Sequence, residues 1–174
     1  MWLKTMRAGL ALGSNLGDRL VALEAARARV LKIAGVSGPI RSSSIYETDP
    51  VDSSPSAGPF LNAVIEVEFG GDPSFFLRSL QAIELEMGRP AQRAVNAPRT
   101  IDLDILYLGN LVFSTPELVI PHPRLHLRRF VLEPFTEINP SLHLPGHNAS
   151  TSALLDSLQD PAGVHRAAQQ WKTL

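Results

Sequence analysis

The chain has 174 residues, 44% hydrophobic and 19% charged, with 16 Lys+Arg against 17 Asp+Glu for a formal net charge of -1. That length supports a sizeable core, and an apolar fraction this high with so little net charge excludes intrinsic disorder and argues against a general nucleic-acid or membrane-surface binder. The absence of cysteine excludes a disulfide scaffold, a thiolate-ligated metal site and thiol catalysis.

Met1 to Arg7 lack the continuous apolar stretch of a secretory signal, and no run approaches the roughly 18 consecutive apolar residues that span a bilayer. The expectation is a single-domain cytoplasmic protein with no nucleic-acid or membrane partner, and nothing in it demands more than a monomer. Ala8 to Gly13 reads as a buried strand ending in the turn Gly13-Ser14-Asn15-Leu16-Gly17-Asp18. Leu16, Leu20, Leu23, Ala26, Val30 and Ile33 then recur at helical spacing, with Arg19, Glu24, Arg27, Arg29 and Lys32 on the polar side and Gly35 as the stop.

Ile40 to Glu47 is β-prone and predicts a second strand, and the proline-rich Asp49 to Pro59 predicts an exposed loop. In Phe60 to Phe69, Leu61, Ala63, Ile65 and Val67 share one strand face, and Phe60, Asn62, Val64, Glu66 and Glu68 the other. Asp72 and Pro73 start a second helix that Gly88 ends, with Leu77, Leu80, Glu84 and Met87 on one stripe. Arg89 to Arg99 has no acidic residue and no period. Thr100 to Leu108 predicts a fourth strand, with Leu111-Val112-Phe113 as a short hairpin partner, and further helices are expected near Phe130 to Ile138 and Thr151 to Leu158. The order is β-α-β-β-α-β: an α+β, ferredoxin-like core with an antiparallel sheet, helices packed on it and C-terminal additions. The core covers about residues 7–140 and the extension residues 141–174 of one domain.

The sharpest chemical feature is Asp102-Leu103-Asp104 inside an apolar strand. A side-chain period of two puts both carboxylates on one face, with Cα atoms roughly 6.5 Å apart, while Ile101, Leu103 and Ile105 face the core. Like charges so placed call for a cation between them, either an arginine or a hard divalent ion such as magnesium, which takes one or two carboxylates together with water and phosphate oxygens. Arg89, Arg93 and Arg99 precede the pair, and Pro121-His122-Pro123-Arg124-Leu125-His126-Leu127-Arg128-Arg129 follows without one acid. Arginine forks match phosphate bidentately, so metal and polyphosphate could be held together here. His122, between two prolines, either bonds a phosphate or caps a turn. Phe60 and Asn62, two residues apart on one face, pair an aromatic plane with an amide and suit either a flat heterocycle or the core. The glycine turn fits neither a Walker A loop nor G-x-G-x-x-G and reads as structural.

Taken together, Ala11-Leu12-Gly13-Ser14-Asn15-Leu16-Gly17-Asp18, Ser43-Ser44-Ile45-Tyr46-Glu47-Thr48, Phe60-Leu61-Asn62-Ala63, Ala97-Pro98-Arg99-Thr100-Ile101-Asp102-Leu103-Asp104-Ile105 and Ile120-Pro121-His122-Pro123 resemble the 6-hydroxymethyl-7,8-dihydropterin pyrophosphokinase family of folate biosynthesis. The resemblance implies diphosphate transfer from ATP to the pterin hydroxymethyl group with release of AMP. It implies Asp102 and Asp104 as ligands of two magnesium ions, with Arg89 and Arg99 beside them in catalysis. Arg89, Arg93, Arg99, His122 and Arg128 would bind ATP. Thr48, Val51, Phe60, Asn62 and Phe130 would bind the pterin, Asn62 at its edge and the two phenylalanines on its faces, with Glu84 orienting. The arginine-rich and proline-rich loops would close as lids.

This chain departs from the family pattern at Ala91, Val95 and Asn96, where basic and aromatic residues are usual. That depleted loop sets a second reading beside the kinase, a degenerate pterin- or nucleotide-binding module without turnover, and two carboxylates on a ferredoxin-like core set a third, a metal-dependent nucleotidyltransferase.

Overall fold

The computed structural model describes residues 4–49, 58–88 and 98–172. Its first strand, β1 (Met6–Ser14), leads through the glycine turn into α1 (Arg19–Val30), which Asp18 caps by accepting the Val21 N–H at 3.1 Å. After β2 (Val36–Ser42), β3 (Tyr46–Thr48) and β4 (Phe60–Phe69) comes α2 (Pro73–Glu86), capped by Asp72 on the Phe75 N–H at 2.8 Å with Pro73 in its first turn. The acidic strand is β5 (Asp102–Leu108). Beyond it lie the pair β6 (Phe113–Ser114) and β7 (Val119–Ile120), a 3₁₀ turn at Leu125–Leu127, α3 (Arg129–Ile138), α4 (Thr151–Ser157) and β8 (Val164–Arg166).

The strands are ordered β5-β1-β4-β3-β8, with β2 also paired to β4, and every pairing is antiparallel. If β2 and β3 are taken as one broken edge, this is the ferredoxin-like order. α1 and α2 cover one face through Leu23, Ala26, Val30, Phe76, Leu80 and Ile83, against Leu10, Leu12, Ile65, Leu103 and Ile105. α3 covers half of the other face through Val131, Leu132 and Phe135, against Val64, Leu106 and Tyr107. The rest of that second face, at the Ser14 end of β1, carries the candidate site.

Three expectations are corrected in detail. The predicted strand Ile40 to Glu47 is two strands, because the Ser43 hydroxyl takes over a ladder position and accepts the Val64 N–H at 3.0 Å. The next residue is drawn out of the strand, since the Ser44 N–H and hydroxyl both donate to the Glu137 carboxylate at 2.8 Å. Arg27, expected on the polar side of α1, is 5% exposed, with its guanidinium 4.3 Å from the Trp171 ring and donating to the Lys172 carbonyl at 2.8 Å. Leu111-Val112-Phe113 does not add to β5; Phe113 pairs with Ile120 in a separate two-stranded sheet.

The loop segments at residues 50–57 and 89–97 lie outside the described residues, and with them Val51, Arg89, Arg93 and both expected lids.

Candidate active site

The site is built from rows of residues running across three strands. Gly13 of β1 stands opposite Asn62 on one side and Asp102 on the other, and Ala11 stands opposite Val64 and Asp104. Neighbouring strands lie about 4.8 Å apart, so the pterin-edge candidate and the acidic pair flank a single strand. That central strand is kept low. A Cβ on Gly13 would come within 2.9 Å of Asn62 Oδ1, so only glycine leaves the amide its position.

In the next row Gly9 stands opposite Glu66 and Tyr107, and the Tyr107 ring lies directly over it. The Tyr107 hydroxyl donates to Glu66 across the glycine, and Asn139 Nδ2 donates to the same carboxylate oxygen at 2.8 Å. Burial and the Glu66 carboxylate push the tyrosine hydroxyl far above its ordinary pKa, so it stays a donor.

Asn62 is held by Thr48: its amide nitrogen donates to the threonine hydroxyl at 2.7 Å, and both side chains are buried. Arg99 spans the two halves of the site, with one guanidinium nitrogen 2.9 Å from the Asp102 carboxylate and the guanidinium carbon 5.4 Å from the Phe60 ring. Its backbone is clamped by Asn15, whose Oδ1 accepts the Arg99 N–H at 2.8 Å while the Asn15 N–H donates to the Arg99 carbonyl at 3.2 Å. The turn that the sequence marks as structural therefore also positions a candidate phosphate ligand. The signal was the asparagine within the glycine turn.

Arg128 lies within electrostatic range of Asp104, Asp102 and Arg99 and 5.5 Å from the Phe130 ring. Burial, with Arg124 as a like charge, holds its guanidinium below the ordinary value, and the two aspartates oppose that shift. His122 shares this cluster. Its Nδ1 accepts the Arg124 N–H at 3.1 Å, which makes it a turn cap and leaves Nε2 as the N–H of a neutral ring. Burial first, then Arg128 and Arg124, push its pKa down to about 4. Glu84 reaches the acidic strand from α2: its Oε1 accepts the Leu103 N–H, between the two aspartates, at 2.7 Å.

Thr48, Phe60, Asn62, Arg99, Asp102, Asp104, His122, Arg128 and Phe130 are thus gathered on one face, and Glu84 braces the strand from beside it. No group of three or more His, Asp or Glu side chains suited to a metal is found among the described residues. A pair of carboxylates fits magnesium, whose remaining positions phosphate oxygens and water supply.

Solved structures with this arrangement of elements define the class. A crystal structure of an HPPK-DHPS in complex with substrates superposes with a TM-score of 0.68 at 16% identity, over 88% of this chain and 44% of that one. The Plasmodium falciparum HPPK-DHPS wild type with SDX-DHP gives 0.66 at 17% identity, again over 88% of this chain and 44% of that chain. At these identities the likeness establishes the α+β, ferredoxin-like fold.

Residues 9–140 match the family model for 7,8-dihydro-6-hydroxymethylpterin-pyrophosphokinase (HPPK), and the chain belongs to that family. The Bacillus subtilis (strain 168) 2-amino-4-hydroxy-6-hydroxymethyldihydropteridine pyrophosphokinase is 42% identical over 143 residues, 82% of this chain and 83% of the relative. Folic acid synthesis protein fol1 of Schizosaccharomyces pombe is 37% identical over 157 residues, 89% of this chain but 21% of the relative, so the chain spans about a fifth of that longer protein.

Proposed function

We propose that this chain transfers the terminal diphosphate of ATP to the hydroxymethyl group of 6-hydroxymethyl-7,8-dihydropterin in folate synthesis. The observation that carries the reading is the row Asn62–Gly13–Asp102, which sets a heterocycle-reading amide across a single intervening strand from a carboxylate pair and its arginines. The pterin lies between Phe60 and Phe130, with its edge on Asn62, and Thr48 and Val51 are further pterin-binding residues. The triphosphate lies along Arg99, Arg128 and His122, joined by Arg89 and Arg93.

The hydroxymethyl oxygen attacks the β-phosphorus in line, the bond from that phosphorus to the α,β-bridging oxygen breaks, and AMP leaves as the hydroxyl proton is lost to solvent. Asp102 and Asp104 would hold two magnesium ions, which neutralise the charge of the triphosphate. Arg99 and Arg128 add fixed positive charge beside the polyphosphate as negative charge develops on the leaving AMP. His122, neutral at working pH, donates from Nε2. Glu84 keeps the two aspartates in register by holding the Leu103 N–H between them. Positioning and charge stabilisation suffice for this chemistry without a side-chain general base.

The test is AMP release from ATP and magnesium, with and without the hydroxymethyl dihydropterin. AMP that appears only with pterin is the expected result. Pterin and ATP binding without AMP would replace the reading with a binding module.

A further inference from the structure

The family match ends at residue 140, yet the chain beyond it folds back and bonds to both flanks of the pterin site. On one flank it caps α3. The residue in the cap position of that helix, Arg128, makes no side-chain cap bond. Instead Asp160 Oδ2 accepts the Arg129 N–H at 3.0 Å, supplying from outside what the first turn lacks. Arg129 returns the contact, its Nε donating to the Asp160 carbonyl at 3.3 Å and a terminal guanidinium nitrogen to the Leu158 carbonyl at 3.2 Å. The second carboxylate oxygen, Asp160 Oδ1, accepts the Ala162 N–H at 2.9 Å and so shapes the turn that aims the chain at the sheet.

On the other flank that chain becomes β8. Val164, His165 and Arg166 stand opposite Thr48, Glu47 and Tyr46 of β3. Backbone bonds from Asp49 N–H to the Gly163 carbonyl at 3.1 Å, and from Ala167 N–H to the Ile45 carbonyl at 2.8 Å, close the ladder at both ends. β3 is three residues long, and its last residue, Thr48, orients Asn62. β8 gives this short strand a partner on its second edge, as β4 does on its first.

We propose that residues 158–166 are a clasp that sets the separation between the start of α3, with Phe130, and β3, with Thr48, and that Asp160 is its positioning residue for the pterin. The inference rests on the reading of the site given above. Asp102 and Asp104 lie on β5, at the opposite edge of the sheet from β8, so the clasp acts on the pterin more than on ATP.

The test is steady-state AMP release with each substrate varied in turn, for Asp160→Ala and Asp160→Asn. Loss of an N-terminal helix cap corresponds to about two- to thirtyfold in an equilibrium. The KM for pterin should rise by that factor in Asp160→Ala, while kcat and the KM for ATP stay within about twofold of wild type. Asp160→Asn keeps an oxygen that can accept the Arg129 N–H and should recover most of the loss. If Asp160→Ala does not melt cooperatively, His165→Pro carries the same test, since it removes a β8 backbone donor opposite Glu47 at an exposed position. Wild-type kinetics in the variants, or equal rises in both KM values, overturn the clasp alone. A wild-type chain without pterin-dependent AMP release overturns the reading of the site, and the clasp's role with it.

Discussion

Asp102 and Asp104 are the residues where sequence and geometry agree most directly. Their spacing in a strand puts both on one face, and the pairing with β1 then sets Gly13 and Ala11 beside them, leaving room above the sheet. If they hold the metal, Asp102→Ala and Asp104→Ala should each lower pterin-dependent AMP release at least about a hundredfold. Thermal melts should show that both variants stay folded, because the two side chains lie outside the hydrophobic cores. Other parts of the site were less legible. Asn15 belongs to a turn that any strand-to-helix connection could use, and its grip on Arg99 joins residues 84 positions apart in sequence. His122 was open between phosphate ligand and turn cap. The structure shows the cap through Nδ1, and that same bond leaves Nε2 as a donor for a phosphate.

At the scale of elements, local rules served well where they were strong. Asp72 starts α2 as capping chemistry requires, and the alternation in β4 and β5 gives their faces correctly as far as Ile105. Past that point β5 bulges: Leu10 pairs with Ile105 but Gly9 with Tyr107, so Leu106 and Tyr107 both turn toward α3. α1 shows the limit of periodicity. Arg27 falls on its polar side, and only the C-terminal segment, 145 residues away at Lys172, turns that position into a buried one. A guanidinium stacked on Trp171 and bonded to a carbonyl is worth about 2 kcal/mol, so Arg27→Ala should lower the unfolding free energy by that amount in urea titrations. Arg27→Lys should recover less than half of the loss, because an ammonium has no plane to lay on the indole.

The whole molecule is a sheet with two hydrophobic cores, one on each face, the second leaving half of its face for the site. No helix among the described residues is long and apolar enough to cross a membrane. Its stability should carry the mark of His122, whose folded pKa of about 4 lies below the ordinary histidine value of about 6.5. Between those values the unfolded chain binds the proton more readily. His122 therefore makes stability rise with pH from about 4 to about 6.5 and adds no slope above that. Denaturation across this window should give a shallower acid limb for His122→Gln than for wild type.

The amino-acid sequence by itself determined the β-α-β-β-α-β order of the core as far as β5, the shared face of Asp102 and Asp104, and the concentration of arginines on either side of them along the chain. Capping, alternation and spacing act between near neighbours, so a one-dimensional pattern contains them. Only the tertiary structure decided that β2 breaks at Ser43, that Arg27 is buried, that Asn15 clamps Arg99, and that the segment after residue 140 bridges α3 and β3. Each of these depends on a hydrogen bond or ring contact between groups far apart along the chain, most of them a side chain meeting a backbone N–H or carbonyl, and such a contact exists only once the sheet has brought its edges together.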